Sequence, residues 1–184
     1  MKTLNSKSAA TLEIKKSKFH SFLVPFSEFE AMLNDLKKRH PKANHFVTAF
    51  RYLNEFNQIV EGSSDDGEPR GSSGRPTLNV LAGNNLINVG IITVRYFGGI
   101  LLGVGGLVKA YSDVANLVVK NAKLIEYEKI FEYTFEVEYN KTREIEYLIK
   151  KENVFVVDRG FGEKGISYTI RDSINKINKI KEIL

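Results

Sequence analysis

Three carboxylates fall within the six residues Ser64-Asp65-Asp66-Gly67-Glu68-Pro69. Further along come Arg95-Tyr96-Phe97-Gly98-Gly99 and then Gly103-Val104-Gly105-Gly106-Leu107-Val108-Lys109. Two neighbouring carboxylates could do acid–base work. With phosphates and water they could also hold Mg²⁺, a hard cation that prefers oxygen ligands. Asp-Asp-Gly-Glu-Pro is equally a good turn sequence. Arg95 stands at the end of an apolar run, and arginine is rarely buried without a partner. Asp65, Asp66 and Glu68 are the candidates for that partner, and a structural ion pair pinning the acidic loop to a strand is the plainest outcome.

The glycines Gly98, Gly99, Gly103, Gly105 and Gly106 lie between a strand and a helix, where they allow close backbone approach. A helix begins with free N–H groups and the positive end of its dipole, and so readily accepts a phosphate. Read with the helix starting at Leu107, Lys109 falls in its first turn, and Arg95 adds a second cation. The pattern is neither a Walker A loop nor a strict Gly-x-Gly-x-x-Gly, so tight turns and close helix–sheet packing are the structural alternative. His45 can line the same cleft, as a general base or as a polar contact. Together with His20 and His40 it completes the histidines, and His40 and His45 lack metal-ligand spacing. No serine sits in a Gly-x-Ser-x-Gly elbow.

Positioning these groups requires a sheet with helices on it. Residues 10–24 alternate and read as a hairpin ended by Pro25. Ser27 and Glu30 form a capping-box pattern that predicts a helix over 27–39. Residues 45–52 are rich in aromatic and β-branched types and read as a strand, with a short strand at 58–61. Residues 62–75 read as a polar loop, long enough to be functional or mobile. Pro76 predicts a helix start. Residues 89–97 are apolar almost throughout, as a strand buried on both faces should be, and 107–123 reads as a helix. After a boundary near 126–129 the order is strand 130–139, helix 141–152, strand 154–159, strand 166–171 and helix 172–183. That βαββα series is a ferredoxin-like split βαβ without its last strand.

The chain has 184 residues, 42% hydrophobic and 27% charged, the balance of a soluble globular protein. It has no cysteine, which excludes disulfides, thiolate catalysis and cysteine-based zinc sites. No apolar run is long enough to span a bilayer, and the start lacks the apolar stretch of a secretory signal, so a cytoplasmic protein is expected. The net charge is +5 and belongs to the first two thirds: residues 1–127 carry 16 Lys+Arg against 11 Asp+Glu, residues 128–184 carry 11 of each. A mild basic excess on one module suits a polyanionic partner such as RNA or a phosphate ligand.

Residues 16 to about 118 resemble the IMPACT family, which spans YigZ-like bacterial proteins and a eukaryotic translation regulator. The resemblance rests on Lys16-Ser17-Lys18-Phe19, His40-Pro41-Lys42-Ala43-Asn44-His45, Ser64 through Pro69, Gly71, Gly74, and Val94 through Ser112. It implies an α+β chain: a ribosomal-protein-S5 domain-2-like module at 1–127 and a truncated ferredoxin-like module at 128–184. Taken with the basic first module and the glycine-rich, anion-ready helix start, the resemblance points to a non-enzymatic binding protein acting near translation. Such a protein would contact RNA, the ribosome or a ribosome-associated protein through a basic, glycine-rich cleft. In that reading Arg95 and Lys109 bind, the glycines admit the backbone, and Asp65, Asp66 and Glu68 shape the site. No cofactor is expected. The alternative is a small-molecule enzyme or ligand-binding protein for a phosphorylated metabolite, with Mg²⁺ on the carboxylates.

Overall fold

The computed structural model describes residues 1–184 and divides into two units, Met1–Tyr127 and Glu128–Leu184. The first is organised around β6 (Val89–Tyr96), the central strand of five. Around it the sheet runs β2 (Ser8–Ile14), β3 (Ser17–Pro25), β6, β4 (His45–Leu53), β5 (Ile59–Ser64), antiparallel throughout. A short pair, β1 (Lys2–Leu4) and β7 (Leu124–Glu126), ties the ends of the unit together.

Side chains alternate across a strand, and β6 is apolar on both sides because both are covered. Ile92 and Val94 pack with Leu36 of α1 (Phe29–Arg39). Val89 and Ile91 face the opposite way and pack with Leu78 and Leu81 of α2 (Gly74–Gly83) and Ala115 and Val118 of α3 (Gly103–Lys120). Gly90 is required by this packing, since a Cβ there would run into the ring of Phe29. On the α3 side, register sets Phe19 on β3 and His45 on β4 on either side of Arg95. Three side chains that are remote in sequence thus stand abreast at one end of the sheet.

Several boundaries depart from the sequence reading. Ser27 caps nothing: residues Phe26–Glu28 form a 3₁₀ turn, and α1 starts at Phe29 without a side-chain cap. Lys15 and Lys16 form the two-residue turn of the first hairpin, both at positive φ, as the twist-matching hairpin turns demand. The acidic loop is shorter than the composition suggests, because β5 extends to Ser64 and α2 begins at Gly74. Pro76 is the third residue of α2, where its missing N–H is still harmless. Most consequentially, α3 begins at Gly103, four residues before Leu107. Glycine costs a helix up to about 1 kcal/mol per residue. Burial of Leu107, Ala110, Tyr111 and Val114 along one face outweighs that here. The shift leaves Lys109 in the second turn.

The second unit is a three-stranded antiparallel sheet, β8 (Ile130–Glu138), β10 (Gly165–Ser173), β9 (Phe155–Phe161), with β10 in the middle. Helices α4 (Thr142–Lys151) and α5 (Ile174–Lys181) contribute Ile145, Ile149, Ile177 and Ile180 to a core with Phe135, Val137 and Tyr168. The other face of β8 carries Glu132, Glu136 and Glu138 in solvent. No helix of the chain is long and apolar enough to cross a membrane.

Candidate functional site

The three carboxylates of the acidic loop, side by side in sequence, are sent in three directions. Asp65 turns back onto the start of α2. Its carboxylate accepts from the backbone N–H groups of Gly71 (2.7 Å), Ser73 (3.1 Å) and Gly74 (2.8 Å) and from Ser73 Oγ (2.7 Å). It therefore caps the helix from outside and complements the dipole. Partial burial acts to raise its pKa, yet these bonds win and hold the carboxyl below its ordinary value. Asp66, at φ 45°, uses Oδ2 to accept from the N–H of Phe46 at 2.6 Å and thereby closes the loop onto β4. Only Glu68 goes inward.

Glu68 is 7% exposed and Arg95 5%. Arg95 Nη1 donates to Glu68 Oε1 at 2.5 Å, and the Tyr111 hydroxyl donates to the same oxygen at 2.7 Å. Arg95 Nη2 reaches Ser17 Oγ at 3.5 Å, while its Nε is buried without a hydrogen bond. The guanidinium lies 5.4 Å from the Phe19 ring centre and 5.8 Å from that of Phe97, near enough for cation–π attraction. Tyr111 meets Phe19 edge-on at 5.2 Å. Burial pushes the Tyr111 hydroxyl pKa far up, reinforced by the negative charge of Glu68, so the phenol stays a donor.

His45 closes this polar group. Its Nδ1 lies 2.7 Å from the carbonyl oxygen of Asp66. A carbonyl can only accept, so Nδ1 carries a proton and donates it. Nε2 stands 3.9 Å from Glu68 Oε2.

Above these residues opens a cleft of about 420 Å³. Its floor is His45, Glu68 and Arg95, and its walls include Phe97, Leu101 and Val104. The glycine loop builds one side. Gly98 passes so close to the Lys16–Ser17 backbone that a Cβ would collide with it, and its N–H donates to Ser17 Oγ at 3.1 Å. Gly99 and Gly103 have φ of 82° and 71°, and Gly103 turns the chain into α3 at the cleft wall. Gly105 and Gly106 follow inside the first turn of α3 and do not line the cleft.

The cleft is not the basic one expected from the sequence. Lys109 does not line it: the side chain is 78% exposed and pairs with Asp113 one turn on, at 3.0 Å. The reason is the earlier start of α3. Arg95 is present but already neutralised by Glu68. Nor do the carboxylates gather, since each is engaged by a different element, and no group of three His, Asp or Glu side chains is arranged to hold a metal ion. Tyr111, Asn44 and Leu101 are members that the sequence reading did not assign to the site. Tyr111 shows in the sequence only as part of a helix's apolar stripe, and an exposed leucine in a glycine loop carries no signal at all.

The comparisons agree with this architecture. The family model described as the Impact N-terminal domain matches residues 15–119. An IMPACT family member from Haemophilus influenzae is 39% identical over 155 residues, covering 81% of this chain and 74% of that protein. The IMPACT family member YigZ of Escherichia coli is 37% identical over 140 residues, covering 74% and 69%. A crystal structure of a hypothetical protein superposes with a TM-score of 0.72 at 28% identity, covering 98% of this chain and 89% of its own. The chain belongs to the IMPACT family.

Proposed function

We propose that this protein is a non-enzymatic binding module of translation control that docks a protein of the ribosome, or one associated with it, in the cleft beside α3. One observation carries the reading: the cleft wall is apolar and yet open. Leu101 is 82% exposed, Val104 58% and Phe97 44%. Clustered exposed apolar side chains mark interaction surfaces, whereas scattered ones mean little. The family resemblance to a eukaryotic translation regulator supports the setting. The same geometry disfavours an RNA backbone as the occupant, because the cleft holds no uncompensated cation to attract phosphates. It also disfavours Mg²⁺-dependent chemistry on a phosphorylated metabolite, since Asp65 and Asp66 are spent on backbone donors. In this reading the first unit is the S5-domain-2-like module and supplies the site. The βαββα unit is the ferredoxin-like module, with Glu136 and Glu138 on its outer face.

The test is co-sedimentation with purified ribosomes that retain their associated proteins, across a salt series. Binding that persists as salt rises and survives Lys109→Glu is expected. Steeply salt-dependent binding lost in Lys109→Glu would move the contact to RNA, and no co-sedimentation at any salt would overturn the link to translation.

A further inference from the structure

On the α1 side of the first sheet, the row that crosses β4 at Phe50 has a glycine on each flank, Gly90 on β6 and Gly62 on β5. Two side chains are missing there, and aromatic rings take their places. The Phe29 ring lies against Gly90 and the Phe50 ring against Gly62, each so close that a Cβ on the glycine would strike it. A third ring, Phe26, stacks on Tyr52 with centres 4.1 Å apart and planes 9° from parallel. Phe26, Phe29 and Phe50 are thus each backed by the protein. Their centres lie 5.2, 5.7 and 6.1 Å from one another, with planes inclined by 45°, 66° and 21°. All three stay partly exposed and line a cleft of about 500 Å³ with Ser27, Glu30 and Leu33. Three inclined rings around an open volume make a cage rather than a closed core.

The cage is negative. The face of an aromatic ring carries the negative part of its quadrupole. On α1 and the turn before it, Lys7 holds Glu28 and Arg39 holds Asp35, which leaves Glu30 as the unpaired carboxylate at the cleft. No lysine, arginine or histidine lines it. Rings and carboxylate together favour a cation. Hydrogen bonding narrows its class. A primary ammonium brings three N–H donors and a guanidinium five, whereas the lining side chains offer acceptors only at Ser27 and Glu30. A quaternary ammonium spreads its charge over its alkyl groups, donates no N–H, and suits aromatic walls. The volume is that of a site for a whole small molecule.

We propose that this cleft binds a small quaternary-ammonium compound, with its alkylated head among Phe26, Phe29 and Phe50 and its charge balanced by Glu30. The site lies on the other face of the sheet from the cleft beside α3 and is independent of the docking role proposed there.

Choline and its uncharged carbon isostere, 3,3-dimethylbutan-1-ol, are the probes. Each is titrated into the full chain with isotopically labelled phenylalanine rings and followed by NMR. The two share a shape and differ in charge. Choline is expected to shift the rings of Phe26, Phe29 and Phe50. The isostere is expected to bind about tenfold more weakly, the scale of a cation held against several aromatic faces. Glu30→Gln, at an exposed position of α1, should weaken choline about threefold and leave the isostere unchanged. Phe29→Leu keeps apolar bulk but removes a ring, and should weaken choline more than the isostere. A peptide carrying trimethyllysine separates a free compound from a protein side chain as the source of the head group. It is expected to bind no more tightly than choline, and tighter binding would overturn the free compound as ligand. Equal affinity for choline and its isostere, or choline binding indifferent to Glu30→Gln, would overturn cation recognition. Ring shifts confined to other phenylalanines, or no binding of either probe, would overturn the site.

Discussion

The floor and the wall of the cleft invert the usual relation between polarity and exposure. On the floor Glu68 and Arg95 are charged and almost wholly buried, 7% and 5% exposed. On the wall Leu101 and Val104 are aliphatic and open to solvent, 82% and 58% exposed. Burying a charge pair is rarely a net gain in stability, because desolvation offsets the attraction, yet removing one partner is severe. Leaving leucine in water is nearly neutral for the fold and favours association. The floor therefore belongs to the architecture, through which the acidic loop, β6 and α3 are held in one arrangement. The wall is the part free to serve a partner.

The sharpest way to break this division is Glu68→Ala. It strands Arg95 and the Tyr111 hydroxyl in the interior, and a loss of about 3–5 kcal/mol is expected in urea unfolding. The double replacement Arg95→Met with Glu68→Leu removes both charges together and should recover most of that loss. If the double variant were as unstable as the single one, the pair would be holding the loop by something other than mutual charge.

A smaller effect is expected at Asp65. Asp65→Ala should cost about 1–2 kcal/mol, as loss of a helix N-terminal cap does. Its hydrogen bonds lower the folded pKa beneath the ordinary 3.8. The contribution is thus complete above that pH and is lost as the pH falls through 3.8 and on towards the folded value. Asp65→Asn should accordingly flatten the acid limb of a stability–pH profile, and an unchanged acid limb would contradict the capping role. The smallest effect belongs to Lys109→Glu. It replaces an exposed cation paired only with Asp113, and stability should stay within about 0.5 kcal/mol of the unaltered protein.

The sequence was most legible where physics leaves one solution. A run such as Val89–Phe97 can only be a strand covered on both sides, and an arginine at its end must meet a carboxylate. Which of three carboxylates was not legible, because the choice depends on a loop whose turns are set by Asp65 reaching α2 and Asp66 reaching β4. The start of α3 was misread for a similar reason: glycines weaken a helix locally, and the packing of Leu107 and Tyr111 that rescues it is a long-range term. That four-residue displacement carried Lys109 out of the cleft and changed its character from basic to apolar. The donor role of His45 Nδ1 was likewise invisible, since it is set by the carbonyl of Asp66, twenty-one positions away.

Leu101→Asp tests the central claim most directly, with thermal unfolding and ribosome co-sedimentation measured on the same preparation. The account expects an unfolding temperature unchanged from the unaltered protein and co-sedimentation abolished. Retained co-sedimentation, or binding lost only in step with unfolding, would contradict the assignment of the apolar wall to a partner.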